Sequence, residues 1–198
     1  MLARAFESGF SPKWVLADEV YGSDSKFRRF LEERNQPYVL AVSSQQRLWV
    51  GLRQQRLDTL VKEIPDENWS RLSVADGTKG PRVYDWAAGQ FGIPTDGGLI
   101  RWVLFRRSVE KPQELAYYLC LSSADTTAPE LAQAAGQRWD IECCFEAAKQ
   151  ETGLDEYEVR SWHGWYRHIT LSMLALAFFS VMRMKSSGKS WSKKRGRI

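Results

Sequence analysis

Arg138-Trp139-Asp140-Ile141-Glu142, with Lys149 seven residues after Glu142, falls in a stretch whose other signals are helical. Thr127 and Glu130 have the Ser/Thr-x-x-Glu spacing of a capping box, Pro129 stands in the first turn, and Gly153 is a stop. At ~100° per residue, Arg138, Glu142 and Lys149 come within about 40° of one another, on one helix face. A carboxylate between two cations on one stripe suits a site that holds a divalent ion and meets nucleic-acid phosphates. The same stripe also reads as a solvated ion-pair face. A second carboxylate, Asp18, closes the apolar run Trp14-Val15-Leu16-Ala17, at the end of an expected buried strand, where open α/β sheets place their ligand sites. Alone it reads equally as a cap for the turn Asp18-Glu19-Val20-Tyr21-Gly22. Carboxylates from a strand end and a helix are the usual protein ligands of two-metal phosphoryl transfer, in which one ion activates the nucleophile and the other stabilises the leaving oxygen.

The elements that must position these residues follow from periodicity. Leu2 to Phe6 read as the end of a helix closed by Gly9, with Ser11-Pro12 as a break. After the Trp14–Ala17 strand comes a charged helix, from about Ser23 to Arg34, with Phe27, Phe30 and Leu31 inward. Tyr38 to Val42 is then a second buried strand. Strand, helix, strand in so short a span predicts a βαβ-type unit with parallel pairing. From Ser43 to Ala124 short apolar or alternating runs are punctuated by Gly77, Gly80-Pro81 and Asp96-Gly97-Gly98, which predicts an antiparallel meander. Helix returns at Ala128, breaks near Gly153, and resumes from about Trp162 to Met184. The longest apolar run, Ile169 to Met182, is too short to span a bilayer, contains Thr170, Ser172 and Ser180, and is expected as a buried core helix with no membrane role.

Composition bounds the class. The chain has 198 residues, 43% hydrophobic and 13% aromatic, enough for one sizeable domain with a real core. The net charge of +4 hides an asymmetry: nine of the 28 Lys and Arg follow Glu158, beyond which no acid occurs. The first 158 residues therefore carry −5 and the last 40 carry +9. A basic end on an acidic body fits a polyanionic partner, though Lys193-Lys194-Arg195 serves equally as a solubilising tail. Cys120, Cys143 and Cys144 make neither a disulfide framework nor a zinc spacing, and the N-terminus has no signal-peptide pattern, so a reduced, cytoplasmic protein is expected. No Ser/His/Asp arrangement offers a covalent nucleophile.

Asp-x-x-Tyr-Gly at 18–22 and Arg-Trp-x-Ile-Glu-x-x-Phe-x-x-x-Lys at 138–149 resemble the second and third catalytic blocks of bacterial insertion-sequence DDE transposases. The group is the one whose third block reads Tyr-x2-Arg-x3-Glu-x6-Lys. Gly77-Thr78-Lys79-Gly80-Pro81-Arg82, Gly153-Leu154 with Tyr157-Glu158-Val159-Arg160, and Gly164 to Leu171 also look familial. The resemblance implies an α/β fold, an RNase H-like catalytic core interrupted by a mostly antiparallel β insertion. Its divisions are a first part of the core at 1–43, the insertion at 44–125, the second part with the Glu helix at 126–185, and a basic tail at 186–198. By the same resemblance Asp18 and Glu142 are catalytic metal ligands for two Mg²⁺ or Mn²⁺ ions, while Arg138 and Lys149 hold transposon-end phosphates. The implied partners are double-stranded DNA, both transposon ends and target, with a homodimer or a full-length transposase as a further partner. Ala135 stands where the signature has Tyr, and the first catalytic Asp belongs on a strand upstream of Asp18, for which Asp24 cannot substitute. A truncated chain is therefore expected to be inactive alone. The alternative is a non-catalytic DNA- or transposase-binding remnant.

Further contacts are weighed against plainer roles. Lys79 and Arg82 flank a Gly-Pro turn and fit either a DNA backbone or a solvated hairpin tip. His163 and Arg167, at i and i+4, are candidates for phosphate contact, whereas His168 fits a core histidine equally well. Trp162, Trp165, Tyr166 and Ile169 follow i, i+3, i+4, i+7 spacing, which favours packing over a base-stacking platform. Trp86 and Trp102 fit core positions, or a stack on a flipped base.

Overall fold

The computed structural model describes residues 2–77 and 80–186. Helix α1 (Leu2–Glu7) ends before Gly9, whose φ of +84° lies in the left-handed region that favours glycine. Strand β1 (Val15–Ala17) leads through α2 (Glu19–Gly22) and α3 (Ser25–Glu32) to β2 (Tyr38–Val42). β1 and β2 are parallel, with Val15 opposite Tyr38 and Ala17 opposite Leu40, as the strand–helix–strand pattern predicts. α3 starts where Asp24 accepts from Lys26 N at 2.8 Å, and its Leu31 is fully buried. A Cβ on Gly22 would stand 1.9 Å from the Ala41 carbonyl oxygen, so only glycine lets α2 lie this close to β2.

Beyond β2 the chain forms a separate two-stranded ribbon, β3 (Arg47–Val50) and β4 (Arg53–Arg56), then α4 (Leu57–Leu60). The expected meander follows as β5 (Ser70–Gly77), β6 (Gly80–Phe91), β7 (Ile100–Ser108) and β8 (Leu115–Ser122). β8 pairs antiparallel with β2, so the meander extends the sheet that β1 and β2 begin, in the order β1-β2-β8-β7-β6-β5. The fold is α/β with a mostly antiparallel sheet.

Strand alternation sorts the core into two layers. Val15, Tyr38, Leu40, Val42, Val103, Phe105, Leu119 and Leu121 face Leu31, Leu57 and Val61. The other face, with Val39, Trp86, Trp102, Leu104, Tyr118 and Cys120, is covered by α5 (Ala128–Gly136) through Leu131, Ala132, Ala134 and Ala135. Trp86 and Trp102, at 2% and 9% exposure, are core side chains and present no ring to a flipped base. Arg101 Nη2 meets Glu32 Oε2 at 2.7 Å, and Tyr38 donates to Glu32 Oε1 at 2.9 Å, tying α3 to β7 and β2. Burial acts to raise the Glu32 carboxyl, but the Arg101 and Tyr38 hydrogen bonds prevail and hold it below the usual range.

The helix expected from Ala128 to Gly153 is two helices. The capping box of Thr127 and Glu130 is present, but α5 stops at Gly136, and α6 (Arg138–Thr152) begins after Gln137. Packing explains the break: Leu131, Ala132, Ala134, Ala135 and Gly136 bury against the sheet, while Ala148 is the one buried residue of α6. Gln137 N donates to both Gln133 O and Ala134 O at 3.2 Å, a tightened last turn. The chain divides into compact units at this place, residues 1–138 and 139–198.

In the second unit, Gly153 turns the chain with φ +60° and leads to α7 (Trp162–Ser186). Ala148, Leu154 and Leu176 form its small core with Cys144, Ala147, Ile169 and Met173. The reading of Ile169 to Met182 as a buried core helix is corrected here. α7 buries Ser172 and Leu176, while Leu171, Leu174, Phe178, Val181 and Met182 are exposed. The cause is geometric: a partner helix covers one stripe, and α7 is apolar on several. The whole helix, at 25 residues, is long and apolar enough by length and composition to cross a membrane, a test that core helices of soluble proteins also pass.

Candidate active-site residues and nucleic-acid interface

Asp18 sits at the carboxyl end of β1 and is the N-cap of α2. Its Oδ1 accepts from Val20 N at 3.2 Å and Tyr21 N at 3.4 Å, so the capping role is real. A carboxylate has room for more: both bonds use Oδ1, and the side chain is exposed. Beside it Glu19 lines a cleft of about 360 Å³ at the end of β2, with Ser43, Ser44 and Tyr117. A larger cavity of about 970 Å³, lined by Leu48, Trp49, Leu60, Ile64, Phe91, Val103 and Phe105, contains none of the expected site residues. Among the described residues no three His, Cys, Asp or Glu side chains come together as a metal cluster.

Arg138, Glu142 and Lys149 all belong to α6, so their shared helix face stands despite the break at Gln137. Arg138 is half-buried, and its charge acts on the Tyr118 hydroxyl, where burial nonetheless raises the pKa. Glu142 is exposed. Lys149 Nζ lies 3.7 Å from Asp155 Oδ2, an ion pair with an acid beyond the helix end that helix periodicity did not indicate. Ala135, in the place of the signature Tyr, is packed in the layer under α5, which suits a small side chain.

Arg82 is half-buried on β6, and Lys79 and the tail from 187 lie outside the described residues. His163 and Arg167 are exposed on the first turns of α7. His168 takes the structural role: its Nε2 is 2.9 Å from Gly153 O, and its ring lies against Tyr157. The packing reading of Trp162 and Tyr166 is overturned, since both are exposed. Asp18, Arg82 and Arg138 thus belong to the first unit, and Glu142, Lys149, His163 and Arg167 to the second.

No curated protein matches the chain. The family described as Transposase DDE domain matches residues 1–178. That span takes in the parallel β1–β2 pair with Asp18 at its end, the antiparallel meander, α6 and most of α7, an arrangement consistent with an RNase H-like transposase domain whose substrate is DNA. The chain belongs to the DDE transposase domain family.

Proposed function

We propose that the domain performs metal-dependent cleavage at transposon ends, followed by transfer of the freed 3′ hydroxyl into target DNA. The observation that carries this is Arg138, Glu142 and Lys149 on a single helix, in a chain matched by the DDE domain over residues 1–178. Residues 1–43 and 126–185 make the catalytic core, 44–125 its insertion, and 186–198 a basic tail. Asp18 and Glu142 are the metal ligands; Arg138, Lys149, Lys79, Arg82, His163 and Arg167 meet DNA. Exposed carboxylate oxygens suit a hard cation such as Mg²⁺ or Mn²⁺, which keeps waters alongside one or two carboxylates. When bound, such ions polarise the phosphoryl group and make water a nucleophile near neutral pH.

The chain's own residues then do the positioning. Arg138 offers a planar fork to phosphate oxygens, and Lys149 a compact charge. Within these 198 residues the recognised blocks supply two DDE carboxylates, Asp18 and Glu142.

Asp18→Asn separates the roles of that residue. Asn caps helices about as well as Asp, so thermal stability should hold, whereas Asp18→Ala should cost ~1 kcal/mol. Mn²⁺ binding, followed by paramagnetic resonance, should weaken in Asp18→Asn and in Glu142→Gln. Unchanged Mn²⁺ affinity in both would remove these residues from the metal site.

A further inference from the structure

Trp162 and Tyr166 present their rings to solvent, at 68% and 61% exposure, on the first two turns of α7. Trp162 stacks on Trp165 with ring centroids 5.0 Å apart and planes at 23°, and lies 6.2 Å from Tyr166. Trp165 is half-buried, as is Ile169, which packs on the small core of the second unit. The Trp162 ring is therefore backed by Trp165 and bare on its other side, with the exposed Tyr166 ring tilted 43° beside it. Two large aromatics left side by side in water are unfavourable unless something covers them.

A second row runs beside the first. Trp162–Tyr166 and His163–Arg167 are both i, i+4 pairs, so each lies along the helix, about 100° of arc apart. Arg160 stands just before the helix. Arg160, His163 and Arg167 make no ion pair or hydrogen bond with a described residue, and no acid follows Glu158 to compete for them. Aromatic rings beside two arginines and a histidine, which can donate to phosphate oxygens, match the two halves of a nucleotide, base and phosphate.

We propose that this face binds single-stranded DNA, with unpaired bases stacked on Trp162 and Tyr166 and their phosphates on His163, Arg167 and Arg160. The inference rests on the DNA-directed reading above and adds the form of the substrate. Duplex phosphates alone would need the cations and leave the rings unused, because paired bases are already stacked. Aromatic platforms next to a basic track are what unpaired strands require.

The test compares two double variants of the full chain, Trp162→Leu/Tyr166→Leu and Trp162→Phe/Tyr166→Phe. Leu keeps apolar bulk and loses the flat ring; Phe keeps the ring. Fluorescence anisotropy is read with a labelled oligothymidine strand and with a duplex of the same length. The Leu pair should weaken single-strand binding about ten-fold or more while shifting duplex binding less than about two-fold, and the Phe pair should stay near wild type on both. Equal single-strand affinity in the Leu and Phe pairs would overturn the proposal. Loss of helical circular dichroism in the Leu pair would overturn it too, since packing would then explain the rings. So would light scattering that shows a wild-type dimer dispersed in the Leu pair, which would make the face a contact between copies. Wild-type binding to duplex with none to single strands would end this inference alone; no binding to either would end the DNA-directed reading with it.

Discussion

Asp155→Ala should tighten binding to duplex DNA by relieving Lys149 of its partner. Lys149 Nζ stands 3.7 Å from Asp155 Oδ2, with both side chains about half exposed, at 54% and 53%. For the ammonium to meet a phosphate it must leave or share that carboxylate. Exposed pairs of this kind are worth ~0–1 kcal/mol, so removing Asp155 should raise affinity by up to about five-fold. Lys149→Ala should act in the opposite sense, flattening the slope of log affinity against log salt by about 0.9, and Arg138→Ala/Lys149→Ala by nearly two units if both touch DNA. The cycle decides the mechanism: in a Lys149→Ala background the gain from Asp155→Ala should vanish. Anisotropy with a labelled duplex at three salt concentrations measures every corner. A gain that persists without Lys149 would mean that Asp155 acts as general repulsion. An unchanged slope in the Arg138/Lys149 double variant would return that face to a solvated ion-pair stripe.

Two further outcomes test the scaffold. Gly22→Ala places a Cβ against the Ala41 carbonyl at 1.9 Å, a backbone contact no rotamer relieves, so thermal unfolding should show a loss of ~1–3 kcal/mol or more, and an unchanged midpoint would mean that α2 does not lie on β2 this way. Glu32 has a folded-state pKa below its unfolded one, so its contribution is present above the unfolded pKa and lost as pH falls through the folded value. Glu32→Gln should therefore cost ~1.5–3 kcal/mol at pH 7, and urea titrations should show the gap to wild type closing below the usual carboxylate range; a gap independent of pH would refute the Arg101 pairing.

How much of this was legible before the fold depended on whether the signal was local. The β1–β2 pair could be read because each strand is a short continuous apolar run bounded by turn chemistry. The meander could be read from its alternation and its Gly-Pro punctuation. The pairing of β8 with β2 is a contact between distant residues, and no spacing within either strand encodes it. Gln137 hid the break between α5 and α6 because its own conformation stays helical, φ −64° and ψ −14°. The interruption comes from where small residues end and the sheet's cover stops, which is a property of packing and not of helix propensity.

The candidate site divides along the same line. Asp18 was placed correctly at a strand end because strand termination is written in the turn that follows, and its capping bonds join only neighbours in sequence. Lys149's partner was missed because Asp155 lies past the helix stop, where helix periodicity has no authority. Trp162 and Tyr166 mark the sharper limit. An i, i+3, i+4, i+7 stripe states that four residues share a face, but not that the face has anything to bury against. Trp165 and Ile169 took the inner half of that stripe, and the outer half was left bare beside His163 and Arg167. The spacing that argued for a core is therefore the same spacing that, with a half-covered helix, produces a row of rings beside a row of hydrogen-bond donors.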